Sequence, residues 1–339
     1  MKKSYILTGM TIVFFIVANA GLAAGPGKAR MLSRLPPAVR QAIHQQLGDG
    51  RLNSVDKDDE DGELTYDVVM TRAGRQRDFD VSSDGVLLDR QIFLSELPDV
   101  LQASIKGQTG RGTPGDIYES FEKDAVSYDV DVTNSDQTRS FTFASDGRLL
   151  TREVFLAELP PEVQQAIKKQ IGGDNLDEID ESFEDSETSY DVTVVRAGKS
   201  RDFSVSLTGE LIEEEVFEDE LPAVVQAAVR KETSGKKMDD IYKSVDEKDI
   251  SYDVDLADDS SLTFDEQGNI YRREHPVKLQ DAPEAVQTAI QSLAEDGKMV
   301  NLKEVTEDNV VSYDTDLYQT GKLKSISFGA DGKVIPEDN

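Results

Sequence analysis

Aspartate recurs along this chain at a fixed spacing, each time directly after a tyrosine. The Tyr-Asp pairs begin at Tyr66, Tyr128, Tyr190, Tyr252 and Tyr313, at intervals of 62 or 61 residues. Carboxylates repeated in this way could bind cations or dock a basic protein surface, because a surface of one charge attracts the opposite charge. The candidate partner-binding residues are these aspartates and three that follow them: Asp67, Asp129, Asp131, Asp191, Asp253, Asp255, Asp314 and Asp316.

The residues around each Tyr-Asp pair alternate between apolar and polar, which is typical of a β-strand with one covered face. In the second copy Tyr128, Val130 and Val132 share one face, whereas Asp129 and Asp131 share the other. We therefore expect the tyrosines to be core residues with the hydroxyl near the rim. The aspartates should then make the uncovered face of the sheet acidic. Solvated strand faces are commonly polar, so a face without a partner is the alternative.

A short amphipathic helix is predicted before each of these strands. Its first turn is marked by Leu35-Pro36, Leu97-Pro98, Leu159-Pro160, Leu221-Pro222 and Ala282-Pro283, which have the same spacing as the Tyr-Asp pairs. In the first copy Val39, Ala42, Ile43 and Leu47 form an i, i+3, i+4 apolar stripe. The glycines that predict the helix ends are Gly48, Gly107, Gly172, Gly235 and Gly297.

A hairpin signal completes each copy. Asp84-Gly85 and its counterparts lie between an alternating run and an apolar run, and such a turn needs a left-handed backbone. With a weaker strand around Val55, a copy consists of one helix followed by about four antiparallel strands, the helix covering one face. The predicted fold class is α+β with five tandem repeats. The predicted segments are a signal peptide at 1–23 and repeats at 31–94, 95–156, 157–218, 219–279 and 280–339.

Neighbouring repeats are expected to pack closely. A unit of this size buries only about 60% of the surface that its unfolded chain exposes, so it gains stability by packing on a neighbour or sharing a sheet edge. No Pro/Gly/Ser-rich linker separates the copies. Little flexing between them is therefore expected.

The N-terminal residues have the pattern of a secretory signal. Lys2 and Lys3 precede an apolar run from Ile6 to Ala18, and small residues follow it, with cleavage expected after Ala20 or Ala23. A membrane anchor is the alternative, but a spanning helix needs roughly 20 apolar residues, and this run is shorter. The mature protein is therefore expected in a periplasm or outside the cell.

Composition excludes several functional classes. The chain has no cysteine, which removes disulfides, thiol nucleophiles and thiolate metal sites. Its formal net charge of −30 repels nucleic acid. Only His44 and His275 could serve as histidine bases or ligands, and neither has a recurring partner. We predict no catalytic residue, no cofactor and no stable membrane insertion after signal removal.

One acidic run invites a calcium interpretation. Counting back from Gly62 as the sixth residue of an EF-hand loop places Lys57 at position one and Val68 at position twelve, where acidic ligands are required. The motif therefore fails, and a hairpin connection rich in charge is the preferred interpretation of Asp56 to Gly62. Loose binding of divalent cations remains open, but no metal site is predicted.

The repeated pattern resembles the PepSY-like family that is related to the β-lactamase inhibitor proteins. The segment from Leu159 to Ile212 is similar to that family in its Leu-Pro pair, short helix, Tyr-Asp-Val strand and hairpin. The resemblance implies a secreted or periplasmic, non-enzymatic module that binds or restrains other proteins, notably peptidases or penicillin-interacting hydrolases. The chain departs from this pattern in having five copies and no cysteines, so no inhibitory residue is transferred by position.

Two hypotheses from different classes follow. The first is a binding array that engages, and inhibits or regulates, an extracytoplasmic peptidase or hydrolase with a basic surface, because a recurring surface is present without a catalytic cluster. The second is an acidic structural or cation-buffering envelope protein without a specific partner. An enzyme built from carboxylates has no sequence signature here and ranks third.

Overall fold

The computed structural model describes residues 32–60, 63–110, 112–122, 125–134, 137–184, 187–196, 198–246, 249–294, 299–319 and 322–336. Over these residues the chain forms five α-helices of ten or eleven residues, each followed by four β-strands. We call each of these helices, with the four strands that follow it, a module.

The modules have the following elements. Module 1 contains α1 (Pro37–Leu47), β1 (Arg51–Glu60), β2 (Glu63–Arg72), β3 (Arg75–Ser82) and β4 (Leu87–Ile92). Module 2 contains α2 (Asp99–Thr109), β5 (Thr113–Glu122), β6 (Ala125–Asn134), β7 (Gln137–Ala144) and β8 (Leu149–Glu153). Module 3 contains α3 (Pro161–Ile171), β9 (Asn175–Glu184), β10 (Glu187–Arg196), β11 (Lys199–Ser206) and β12 (Leu211–Glu215). Module 4 contains α4 (Ala223–Glu232), β13 (Met238–Asp246), β14 (Asp249–Leu256), β15 (Ser261–Asp265) and β16 (Ile270–Pro276). Module 5 contains α5 (Glu284–Leu293), β17 (Met299–Glu307), β18 (Val310–Gln319), β19 (Lys322–Gly329) and β20 (Val334–Ile335).

Antiparallel pairing follows chain order within each of the two compact parts of the chain, Met1–Glu153 and Val154–Asn339. In the first part each strand from β1 to β7 pairs with the next one, and in the second part each strand from β9 to β19 does so. The fourth strand of a module thus pairs with the first strand of the next at β4–β5, β12–β13 and β16–β17. The α+β class and the antiparallel sheet are confirmed.

Each module has its own hydrophobic core between its helix and its strands. In module 1 the helix residues Val39 and Ile43 pack with Val68 and Phe79, all of them buried. Four further clusters repeat this arrangement in the other modules. The tyrosines of the Tyr-Asp pairs are 5 to 7% exposed and belong to these clusters, as their phase predicts.

The helix ends differ in part from the prediction. Gly48 and Gly172 cap α1 and α3 with φ of +51° and +60°, as expected. Gly107, however, lies inside α2, because the stripe continues to the buried Thr109 and Gly110 adopts the left-handed conformation instead. Helix α4 ends at Glu232 with Thr233 as its C-cap, two residues before Gly235. Gly297 lies outside the described residues.

A Phe-x-x-Glu turn holds the connection from a module to the next helix. Phe93 precedes a 3₁₀ helix over Leu94–Glu96, and its backbone N–H donates to the Glu96 carboxylate at 3.1 Å. Arg77 from β3 donates to the same carboxylate at 2.6 Å and lies 4.6 Å from the centre of the Phe93 ring. The ion pair and the cation–π contact thereby fix the path of the chain into α2. Arg201, Phe217 and Glu220 repeat the arrangement before α4.

An ion pair joins the fourth strand of one module to the first strand of the next. The strand that carries the positive charge differs from one module junction to another. Arg90 on β4 pairs with Glu119 on β5 at 2.5 Å, and the buried Tyr128 donates to Glu119 at 2.8 Å. At the corresponding positions of β12 and β13, Glu214 pairs with Lys243 at 2.7 Å, so the charges are reversed. The two paired strands therefore carry opposite charges in both cases, although the charges at the individual positions are exchanged.

Two conditions require glycine in the hairpins: a positive φ, and the close approach of the helix backbone to the hairpin. A matched pair of substitutions can separate their contributions to stability. Gly85 has φ of +89°, and a Cβ there would lie 2.6 Å from the backbone carbonyl carbon of Ala38 in α1. Gly74 also has a positive φ, +77°, but a Cβ there meets open space.

We predict that Gly74→Ala lowers the free energy of unfolding by about 1 kcal/mol through backbone strain alone. Gly85→Ala should cost about 2 kcal/mol more, because the hairpin must also move away from the helix. Urea unfolding followed by circular dichroism measures both, and equal losses would contradict this account.

Candidate acidic face

The candidate aspartates lie on the face of the sheet opposite the helices. Asp67 alternates along β2 with the buried Tyr66 and Val68, and the same alternation holds for the aspartates on β6, β10, β14 and β18. We use the name acidic face for this side of the strands in each of the two compact parts, which together carry all eight predicted residues: Asp67, Asp129, Asp131, Asp191, Asp253, Asp255, Asp314 and Asp316. Except for the exposed Asp131, these side chains are half-buried, so the face is less open than the sequence pattern suggested.

Hydroxyl groups on neighbouring strands stabilise the half-buried carboxylates of the acidic face by donating hydrogen bonds to them. In module 2, Ser120 Oγ and Thr142 Oγ1 donate to the two oxygens of Asp129 at 2.7 and 2.8 Å. In module 4, Thr263 Oγ1 donates to Asp253 at 2.7 Å. Ser140 Oγ donates to Asp131 at 3.0 Å. Hydrogen bonds of this kind favour the charged form of a half-buried carboxylate and offset part of its desolvation.

Module 1 departs from this pattern. Its counterpart of Thr142 is Asp80, which lies directly opposite Asp67 on one side and Asp89 on the other. Three carboxylates therefore stand in register on β2, β3 and β4, and Asp89 is only 7% exposed. Burial, and then repulsion from the neighbouring carboxylates, raises the pKa of Asp80 to about 8 and that of Asp89 to about 7. Burial likewise raises the pKa of Asp67. The row therefore retains protons at pH values where ordinary aspartates are ionised.

Further acidic residues of the face were missed at the level of sequence. Asp78 lies on β3 and accepts a hydrogen bond from the Tyr118 hydroxyl at 3.3 Å, and burial raises its pKa. In module 3 burial raises the pKa of Glu213 and of Glu215 to about 7. A signal was present, because Asp78 and Asp80 flank the apolar Phe79 in the same alternation that identified Asp67.

Cations neutralise the face between modules 4 and 5. Arg272 on β16 contacts Glu307 at 2.6 Å, Glu274 at 2.9 Å and Asp314 at 3.8 Å. Lys303 adds a contact to the buried Glu274 at 3.4 Å. These contacts compensate the negative charge of the acidic face where β16 and β17 pair.

Neither a metal site nor a histidine centre emerges among the described residues. No three histidine or acidic side chains in that part of the chain are grouped so as to hold a metal ion. His44 is exposed on α1, and the exposed His275 lies 3.8 Å from Glu304. The acidic run from Asp56 to Glu60 belongs to strand β1, so it is not the hairpin connection that was expected. Asp61 and Gly62 lie outside the described residues, as do the predicted signal peptide and its cleavage site. Over the described residues no helix is long and apolar enough to cross a membrane.

Comparison with known proteins identifies two matching regions. Residues 64–151 and 188–272 match the family model described as "Putative beta-lactamase-inhibitor-like, PepSY-like". Each match begins in or next to the Tyr-Asp strand of one module and extends into the fourth strand of the next, so it contains one helix between strands. No curated protein matches the chain.

Several solved structures resemble about a third of the chain. A BLIP-like protein from Bacteroides fragilis is 22% identical, with 35% of this chain and 84% of that chain covered and a TM-score of 0.28. A "putative calcium-regulated periplasmic protein" from Bacteroides thetaiotaomicron is 21% identical, with 35% and 93% covered and a TM-score of 0.26. A DUF2874 family protein from Bacteroides ovatus is 17% identical, with 34% and 86% covered and a TM-score of 0.27.

The carboxylate row of module 1 predicts an unusual dependence of stability on pH. Asp80 has a raised pKa in the folded chain, so the folded state binds more protons than the unfolded state between the ordinary aspartate value and about pH 8. Stability should therefore fall as the pH rises through this window. Asp80→Thr, which copies module 2, should remove this loss and stabilise the protein at pH 8 by about 2 kcal/mol, with little gain at pH 4.

Urea unfolding of the two proteins at pH 4, 5, 6, 7 and 8 measures this difference. Asp99→Asn removes an exposed carboxylate of the same compact part and controls for net charge. Its difference from the wild type should stay constant between pH 5 and 8. A difference for Asp80→Thr that is equally constant would show that the row does not retain protons.

Proposed function

Because the chain belongs to the PepSY-like, β-lactamase-inhibitor-like family, we propose that it is a non-enzymatic binding protein that engages another extracytoplasmic protein through its acidic face. The partner we propose is a peptidase or hydrolase with a basic surface, whose activity is inhibited or regulated by the contact. The observation that carries this proposal is the recurrence of a half-buried aspartate at the same place in the five modules, held by hydroxyl donors in modules 2 and 4.

The geometry supports binding in preference to a merely solvated face. Asp129 and Asp253 are held by hydroxyl donors on adjacent strands, so their carboxylates are fixed in position before a partner arrives. Fixed charges lose less conformational entropy on binding than mobile surface side chains do. Lysine or arginine side chains of a partner could replace the protons of the module 1 row and gain charge-assisted hydrogen bonds.

We also propose that the five modules are tandem PepSY-like repeats, close to the segments 31–94, 95–156, 157–218, 219–279 and 280–339. Each module has its own core, helix and hairpin, which supports this division. Several copies of one binding surface raise the effective concentration of the second contact once the first has formed. A partner with more than one basic patch would gain most from such an arrangement.

The proposed location is the periplasm or the cell exterior. The lysines and apolar run at the N-terminus support export. The absence of cysteine agrees with a protein whose folding does not depend on the redox state of that compartment.

The test is affinity capture from periplasmic and secreted fractions of the native host, followed by binding measurements with the captured protein. A face variant carries Asp129→Asn, Asp131→Asn, Asp253→Asn and Asp255→Asn. A matched control carries Asp99→Asn, Glu162→Gln, Asp219→Asn and Glu284→Gln, which remove the same number of exposed charges from the helical segments. We predict that one protein is captured by the wild type and the control but not by the face variant, and that added salt weakens its binding.

The outcomes separate the functional classes. Equal loss of binding in both variants would indicate attraction by net charge alone, against a specific face. Capture of nothing by any of the three proteins would favour the structural or cation-buffering role. An activity assay of the captured enzyme with and without this protein then decides whether binding inhibits it. Circular dichroism of both variants confirms that each is folded.

A further inference from the structure

A cleft beside helix α2 has a charge opposite to that of the rest of the molecule. It has a volume of about 470 Å³ and lies between the 3₁₀ helix Leu94–Glu96, helix α2 and the start of β5. Phe93, Leu94 and Pro114 give it apolar walls, and Arg75 and Lys106 stand at its polar side. In a chain with a formal net charge of −30, two exposed cations at one cleft call for an explanation.

Neither cation forms a direct ion pair among the described residues, and Arg75 acts on the Glu96 carboxylate only as a nearby charge, which helps to lower the pKa of Glu96 after the hydrogen bond from Arg77. The guanidinium carbon of Arg75 lies 3.9 Å from the centre of the Phe93 ring, which orients it without neutralising it. Lys106 Nζ donates only to the neutral amide of Gln102, at 3.4 Å. Of the nearby acids, Glu96 pairs with Arg77 at 2.6 Å. Asp116, which also lines the cleft, accepts from the neutral amide of Gln91 at 2.7 Å and keeps its charge, so Arg75 and Lys106 leave the lining with a net positive charge.

In module 4 the cation at the position of Lys106 forms an ion pair within the protein. Arg230 on α4 occupies the position of Lys106, and its Nε pairs with Glu218, which occupies the position of Leu94. Asp239 stands where module 2 has Gly115. Module 2 thus has a leucine and a glycine where module 4 has two carboxylates, whereas both modules have a cation on the helix.

From these observations we propose that the cleft of module 2 binds a carboxylate of a peptide, with an adjacent apolar side chain packed against Phe93, Leu94 and Pro114. Arg75 and Lys106 supply the positive charge, and the carboxylate of the ligand takes the place that Glu218 fills beside Arg230 in module 4. The glycine at position 115 leaves room and removes the repulsion that an aspartate would cause. This site is distinct from the acidic face and takes a group of the opposite charge, so it does not depend on the function proposed above.

The test uses the full chain and two small probes that differ only in charge, N-acetyl-L-leucine and N-acetyl-L-leucinamide. Amide ¹H–¹⁵N spectra recorded during titration show where each probe binds. We predict saturable shifts at Leu94, Ser95, Gly115 and Asp116 with the carboxylate probe, and binding of the amide probe that is about fivefold weaker, the scale of one exposed ion pair.

Three variants make the result specific. Arg75→Gln with Lys106→Gln should weaken binding of N-acetyl-L-leucine about fivefold and remove its advantage over the amide. Leu94→Glu, which installs the module 4 arrangement, should abolish the site by giving Lys106 an internal partner. Lys168→Gln changes the corresponding lysine of α3, which donates to Gln164 at 3.4 Å, and should leave the titration unchanged.

Spectra of the unliganded variants establish that each is folded. The proposal is overturned if the two probes bind equally, if the shifts lie elsewhere, or if the Arg75→Gln, Lys106→Gln protein binds the carboxylate as well as the wild type does. Because the Arg75 and Lys106 side chains are exposed, these two substitutions test the site even if Leu94→Glu fails to fold.

Discussion

Each helix of this protein must bury its apolar stripe against only four short strands, and that constraint shapes the rest of the structure. A core of about ten residues, such as the cluster around Val39, Ile43 and Phe79, is small for an independent domain. Pairing the fourth strand with the first strand of the next module adds backbone hydrogen bonds without enlarging the core. The Phe-x-x-Glu turn and the hairpin glycine then set the helix close enough to cover the sheet.

The same constraint determines the chemistry of the opposite face. Successive side chains of a strand point to opposite faces of the sheet. Because Tyr66 and Val68 lie in the core, Asp67 between them lies on the opposite face. Its neighbours are set by strand register, and in most modules they supply hydroxyl groups. Module 1 instead places three carboxylates in a row, which is destabilising when all are charged.

The sequence allowed the helices, the hairpins and the core tyrosines to be predicted, because these depend on local periodicity and turn chemistry. It did not reveal that Asp80 faces Asp89, since a register shift between Asp80 and Val81 determines which residues of β3 and β4 meet. The end of α2 was misjudged because a glycine inside a helix is tolerated when the buried stripe continues beyond it. The cleft at Lys106 could not be found from spacing alone, since it depends on which carboxylates are missing nearby.

The most direct test of the modular account is removal of one whole module. Deleting 95–156 would place Arg90 opposite Glu181, whereas deleting 157–218 would place Arg152 opposite Lys243, a pair of like charges, by the correspondence with Arg90–Glu119 and Glu214–Lys243. We predict that both shortened chains fold, that the second has the lower melting temperature, and that Lys243→Glu raises it. An unfolded chain after either deletion, or no rescue by Lys243→Glu, would contradict the account.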